Sequence, residues 1–298
     1  CGDYGIRSDS GFLSTTRRTF QKYFLPDLSE DFVTYGGCYA SIVPGTHHKF
    51  VVLNSVPFLA GYPESWSIAG LKQLTTACGR LRSVELVDEM HWLARTMDAC
   101  AEDQQVWIVC HIPPGVACYD GTQNWSRPVP DRGKRVPFVN VFSDFYLKRR
   151  KQFAGILAGH SHNAEFKLIR DAHRDELASF VLMAPSIGRN HGNNASFRLV
   201  GFNRSNLRIE DYTTHWLDGS TAPPTWATPF TFRETYGQSD VSAAALSRVL
   251  NDMQSGATLP TGKTALDQYF YDYSTRTGAA NHRPRAHYPR ALDSIVGP

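Results

Sequence analysis

Four short apolar runs dictate the architecture: Phe50-Val51-Val52-Leu53-Asn54, Val106-Trp107-Ile108-Val109-Cys110, Phe153-Ala154-Gly155-Ile156-Leu157-Ala158 and Phe180-Val181-Leu182-Met183-Ala184. Each is too short for a helix core and shows no polar alternation, the pattern of a strand buried on both faces. Between them, Leu86, Val87, Met90, Leu93, Ala94 and Met97 recur at spacings of three and four, which predicts an amphipathic helix. A second helix is expected from about Asn140 to Arg150. Strands that alternate with helices imply an α/β fold. The later runs Phe197–Phe202 and Leu207–Trp216 have no helix between them and read as an antiparallel edge or a second sheet.

The flanks are simpler. Phe12 to Phe24 reads as a helix closed by Pro26, and Gly36 to Val43 as a strand running into a turn at Pro44-Gly45. Pro223, Pro224 and Pro229 mark a break, after which two short helices are expected around Val241–Met253 and Thr264–Tyr273. The basic tail from His282 is expected to be poorly ordered. The expected division is therefore a domain over residues 1–218 and a helical carboxyl-terminal extension over 219–298.

A chain of 298 residues, 42% apolar, can bury a full core. Its formal charge of +3 argues against a broad basic surface for a nucleic-acid duplex. The run Lys148-Arg149-Arg150-Lys151 fits the end of a helix facing water. Six scattered cysteines with no C-x-x-C pair predict neither a disulfide scaffold nor a zinc ribbon, and leave the redox compartment open. Cys110, inside a strand, is expected to pack as a small hydrophobe. No apolar run is long enough to span a bilayer, and no leader pattern opens the chain. The first residue is Cys rather than Met, which is read as a sign that upstream residues have been removed. Oligomeric state has no signature in the sequence.

Chemistry concentrates where the strands stop. Gly159-His160-Ser161-His162 follows one apolar run, and His111-Ile112-Pro113-Pro114-Gly115 follows another. On extended backbone, side chains two apart share a side, so His160 and His162 are expected to aim at one point, with Ser161 turned away. Taken alone, the pair reads equally well as two solvated loop histidines. A third imidazole at a neighbouring strand end turns it into a metal cluster at the carboxyl edge of the sheet, where open α/β folds place ligands. His191-Gly192-Asn193-Asn194 either shapes the mouth of the site, with His191, Asn193 and Asn194 offering donors to a phosphate or sugar, or is a turn needing positive φ at Gly192. His47-His48 is expected to be solvated in a hairpin turn, and His282 and His287 solvated in the tail. Asn124-Trp125-Ser126, Asn194-Ala195-Ser196 and Asn203-Arg204-Ser205 match the glycosylation pattern, which matters only in a eukaryotic secretory setting.

The two histidine motifs together resemble the later half of the calcineurin-like metallophosphoesterases. Cys110-His111-Ile112-Pro113-Pro114-Gly115 narrows the resemblance to the acid sphingomyelinase-like phosphodiesterase branch. Gly36-Gly37-Cys38-Tyr39-Ala40-Ser41, Phe50 to Ser55, Ala184-Pro185-Ser186-Ile187 and Asp211-Tyr212-Thr213-Thr214 agree with it, and Cys1-Gly2-Asp3-Tyr4-Gly5-Ile6 is similar to a stretch of bacterial-type members. The resemblance implies a metallo-dependent phosphatase-like α/β/β/α sandwich, present in part, with a helical carboxyl-terminal extension. It implies two divalent metal ions, most often zinc, with His111 and His160 on one and His162 on the other. The implied substrate is a small-molecule phosphoester, and a secreted or periplasmic location is favoured on the resemblance alone. The family's remaining ligands, in D-x-H, G-D and G-N-H/N, would lie upstream of Cys1, and Gly2-Asp3 is read as a lookalike. No catalytic acid or base is identifiable, so the chain by itself is expected to be inactive. Two alternatives stand beside this reading: a non-catalytic remnant that binds a ligand or partner, and a mononuclear zinc hydrolase whose carboxylate base has no obvious position.

Overall fold

A computed structural model describes residues 11–59, 89–118, 121–131, 134–171, 176–189, 191–277, 292–293 and 295–297. The opening segment, Cys78, Leu86, Val87 and the tail histidines His282 and His287 lie outside the described residues. Helix α1 (Gly11–Tyr23) ends ahead of Pro26, because a proline disfavours helical backbone in the residue before it. A short helix α2 (Asp31–Thr34) leads into β1 (Tyr39–Ile42), which turns back antiparallel to β2 (Lys49–Leu53). The amphipathic helix α3 is described over 89–98 and precedes β3 (Val106–Cys110).

Two small hairpins follow, β4 (Gly115–Val116) with β5 (Gln123–Asn124), and β6 (Pro128–Asp131) with β7 (Lys134–Pro137). Helix α4 (Phe138–Lys148) then feeds β8 (Phe153–Ala158). An antiparallel pair, β9 (Phe166–Asp171) and β10 (Glu176–Met183), completes the crossing strands. A second sheet is built from β11 (Ser196–Phe202), β12 (Ile209–Asp218), β13 (Thr225–Trp226) and β14 (Phe230–Thr231). Helices α5 (Phe232–Tyr236), α6 (Ala243–Ser255) and α7 (Ala265–Tyr273) follow, and β15 (Ile295–Gly297) returns to pair with β9.

Among the described residues the main sheet has seven strands in the order β1-β2-β3-β8-β10-β9-β15. Its four inner strands β2, β3, β8 and β10 are mutually parallel. Leu53, Cys110, Ala158 and Met183 therefore end at one edge, and that edge carries the loops that matter below. Phe180 and Leu182 of β10 pack on α6 and α7, while Val181 and Met183 pack on α3 and α4. Burial from both sides explains why these strands read as unbroken apolar runs.

Leu207, Ile209 and Tyr212, at and in β12, share a core with Phe166, Phe180, Val249, Leu250, Tyr269 and Phe270. The helices after Asp218 thus share a core with the sheets. Side-chain caps fix where these helices begin: Ser242 accepts from the Ala245 amide and Thr264 from the Asp267 amide. Among the described residues no helix is long and apolar enough to cross a membrane.

Candidate functional site

The carboxyl edge is assembled from three loops bonded to one another. After β3, the His111 carbonyl accepts from the Gly159 amide at 3.0 Å, which ties it to the loop leaving β8. The Ile112 amide donates to Ser55 Oγ at 2.8 Å, and Trp125 Nε1 donates to the Ile112 carbonyl at 2.9 Å. Trp125 is fully buried with its ring edge-on to Phe142. His111 itself is exposed, held at the rim by buried neighbours. Burial, with Glu89 nearby, pushes the Cys110 thiol up, so that cysteine is an inert packing group, as expected. Cys38, Cys100, Cys110 and Cys118 are free thiols.

The loop after β8 is not extended. His160 has φ 79° and His162 φ 65°, both in the left-handed region. The alternation argument for their shared direction therefore fails, since it assumes extended backbone. Ser161 is buried; its Oγ accepts from the Asn163 amide at 3.3 Å and its carbonyl from Asn163 Nδ2 at 2.8 Å. Holding a non-glycine residue in such backbone costs about 1–3 kcal/mol, a strain that clusters at functional sites.

The turn sends the rings to different partners. His160 lies edge-on to His111 with centroids 5.4 Å apart and an interplanar angle of 82°. His162 lies edge-on to His191 at 4.5 Å and 88°. Nδ1 of His162 is buried and meets no hydrogen-bond partner. Desolvation, then the neighbouring His191 and His111, hold the His162 pKa below the usual histidine value. The ring is thereby kept in the neutral form that binds metals.

The sequence placed His191 beside a Gly-Asn turn, and Gly192 does take φ 73°. Asn193 and Asn194 are only 2% and 3% exposed. Asn193 Nδ2 donates to the Ser186 and Gly188 carbonyls, and Asn194 Nδ2 to the Thr275 carbonyl. These amides stitch the loop together, so what it presents to the edge is His191. Ser186, at the end of the β10 loop, bonds back to the His162 carbonyl through its amide at 3.1 Å. Sequence reasoning missed Ser55 and Ser186 as braces, since only their pairing across loops reveals them. Asn54 is engaged elsewhere, donating to the Gly36 carbonyl at 2.9 Å.

Spacing tests whether these rings suit a divalent ion. Two imidazoles bound cis to one ion at metal–nitrogen distances near 2.0–2.1 Å have centroids about 4.5–5.2 Å apart, depending on the angle at the metal. The His162–His191 spacing falls within the range and the His111–His160 spacing slightly outside it. Among the described residues, no three or more His, Cys, Asp or Glu side chains are gathered into a shell that could hold an ion.

One expectation away from this edge is corrected. His48 is fully buried, its Nδ1 accepting from the Gln105 amide at 3.0 Å, while His47 stays exposed and faces Asp103 at 3.3 Å. Asn124 and Asn194, first residues of two glycosylation triplets, are both buried. The basic run closes α4 with Lys148 and Lys151 exposed, as expected, while Arg149 meets Asp98 at 2.9 Å and Arg150 meets Glu176 at 3.2 Å.

No protein-family model matches the chain. Searches of curated proteins find distant similarity to the human acid sphingomyelinase-like phosphodiesterase 3b, 26% identical over 181 residues that are 55% of this chain and 37% of the relative. In Dictyostelium discoideum, sphingomyelinase phosphodiesterase C is 24% identical over 212 residues, 65% of this chain and 41% of the relative. Sphingomyelin phosphodiesterase A of the same organism is 23% identical over 178 residues, 58% of this chain and 28% of the relative. These distant homologues are named as phosphodiesterases of the acid sphingomyelinase-like kind. The chain spans well under half the length of the curated relatives it matches.

Proposed function

We propose that this chain forms the later part of a metal-dependent phosphoesterase that hydrolyses a small-molecule phosphodiester. The observation that carries the reading is the pair of imidazole contacts, His111 with His160 and His162 with His191, at the carboxyl edge of the parallel strands. The phosphodiesterase names of the distant relatives support it, and the two sheets are compatible with the α/β/β/α sandwich of the calcineurin-like enzymes.

In this reading His111 and His160 hold one ion, most simply zinc, and His162 holds another. Held there, two such ions would supply Lewis acidity toward a phosphate and a water acidified enough to serve as nucleophile. The chain's own contribution is positional. Ser55 and Trp125 fix the His111 loop, the left-handed turn separates His160 from His162, and the His191 loop walls one side. Neutral imidazoles bring no negative charge to balance two dications, so carboxylates from elsewhere in the protein complete the site.

The test is hydrolysis of bis(4-nitrophenyl) phosphate by the whole natural protein that carries this chain. His160→Ala and His162→Ala are each expected to lower kcat by more than about 100-fold, beyond the loss typical of residues that merely support a ligand. Activity within a few-fold of the parent protein in both variants would end the assignment.

A further inference from the structure

We propose that His191 is itself a metal ligand, sharing an ion with His162 as His111 and His160 share the other. The inference rests on the metallophosphoesterase reading and extends it to a residue outside the histidine motifs that suggested it. Three observations converge. The centroids of His162 and His191 are 4.5 Å apart, at the short end of the separations open to two imidazoles sharing one ion. Nδ1 of His162 is buried without a hydrogen-bond partner, so this polar atom has its desolvation uncompensated by the protein.

Third, the loop bearing His191 is anchored far beyond what an incidental surface turn needs. Asn193 Nδ2 reaches the Gly188 carbonyl at 2.9 Å and Asn194 Nδ2 the Thr275 carbonyl at 3.0 Å. Thr275 Oγ1 donates to the Asn194 carbonyl and Thr277 Oγ1 to the Gly192 carbonyl, each at 2.8 Å. Bonds at Gly192 and Asn194 from a segment over 80 residues away fix the backbone directly after His191. A metal ligand needs that kind of support, because affinity depends on donors already in place. A ring merely stacked at the surface does not.

The experiment uses the whole natural protein that carries this chain, stripped of metal, with cobalt(II) as the probe, read by absorption and by equilibrium titration. His191→Ala is expected to weaken cobalt binding by roughly 10- to 100-fold. His191→Cys is expected to retain binding and to add a thiolate-to-cobalt charge-transfer band, which disappears when His162→Ala is introduced as well. Unchanged far-ultraviolet circular dichroism in each variant shows that the fold persists. If His162→Ala weakens binding while His191→Ala does not and His191→Cys adds no band, the inference falls and the reading beneath it stands. A band that survives His162→Ala also overturns the pairing. If the parent protein binds no cobalt at all, the inference and the metal reading fall together.

Discussion

Replacing Gly155 with alanine probes the sheet that positions the site. Gly155 lies in β8 opposite Trp107 of β3, beside a register shift between Val106 and Trp107. Its φ is 149°, and a Cβ built there sits 2.7 Å from Trp107 Cζ3, 3.1 Å from Cη2 and 3.4 Å from Phe180 Cζ. Carbon atoms in ordinary contact sit about 3.5–4.0 Å apart, so the methyl overlaps the indole by about 1 Å. The indole cannot retreat freely, because it is buried and edge-on to Phe180 with centroids 5.9 Å apart. Overpacking of this kind costs roughly 1–3 kcal/mol, and the sparsely populated backbone roughly as much again. Alanine recovers about 0.4–1 kcal/mol by restricting the unfolded chain, leaving a net loss of roughly 1–5.5 kcal/mol. Urea unfolding followed by circular dichroism measures it. Trp107→Leu in the same chain removes the clash and restores part of the loss, so the double-mutant cycle is non-additive. A Gly155→Ala protein within about 0.5 kcal/mol of the parent, the scatter of harmless surface changes, would refute the packing argument.

Two further outcomes follow from buried polar groups. Ser55→Ala strands the Ile112 amide that Ser55 Oγ accepts, and is expected to cost about 1–3 kcal/mol in urea unfolding; an unchanged midpoint contradicts that. Asp272 titrates with the opposite sign to most carboxylates. Burial, only partly offset by Gln268, Arg276 and Tyr236, holds its carboxyl above the usual range. A carboxyl raised on folding adds stability below its unfolded value and loses it as pH climbs through the folded one. Asp272→Asn, which does not titrate, is therefore expected to gain on the parent as pH rises from about 4 towards 7. A stability difference that stays constant across that range removes the argument.

The inner strands were legible because parallel strands covered on both faces leave an uninterrupted apolar record, as at Val106–Cys110 and Phe153–Ala158. Strand β9 was not, since Lys167 breaks its pattern. That lysine is nevertheless fully buried, its Nζ donating to the Val116 carbonyl at 2.6 Å and facing Glu165 at 3.8 Å. His48 looked like a turn residue because its use depends on the Gln105 amide, 57 positions away. At the site, sequence marked His111, His160 and His162 by their place at strand ends. It misjudged how the latter two are presented, because periodicity assumes extended backbone and a left-handed turn erases it. The approach of His191 to His162 was hidden for another reason: it depends on Thr275 and Thr277 holding the loop from the far end of the chain.

Anomalous diffraction at the zinc absorption edge, from crystals of the whole natural protein that carries this chain, grown with zinc, tests the convergence of these rings most directly. The account predicts a peak within bonding reach of His111 and His160, and another within reach of His162 and His191. Crystals that take up zinc only at other surfaces, with this edge empty, would contradict it.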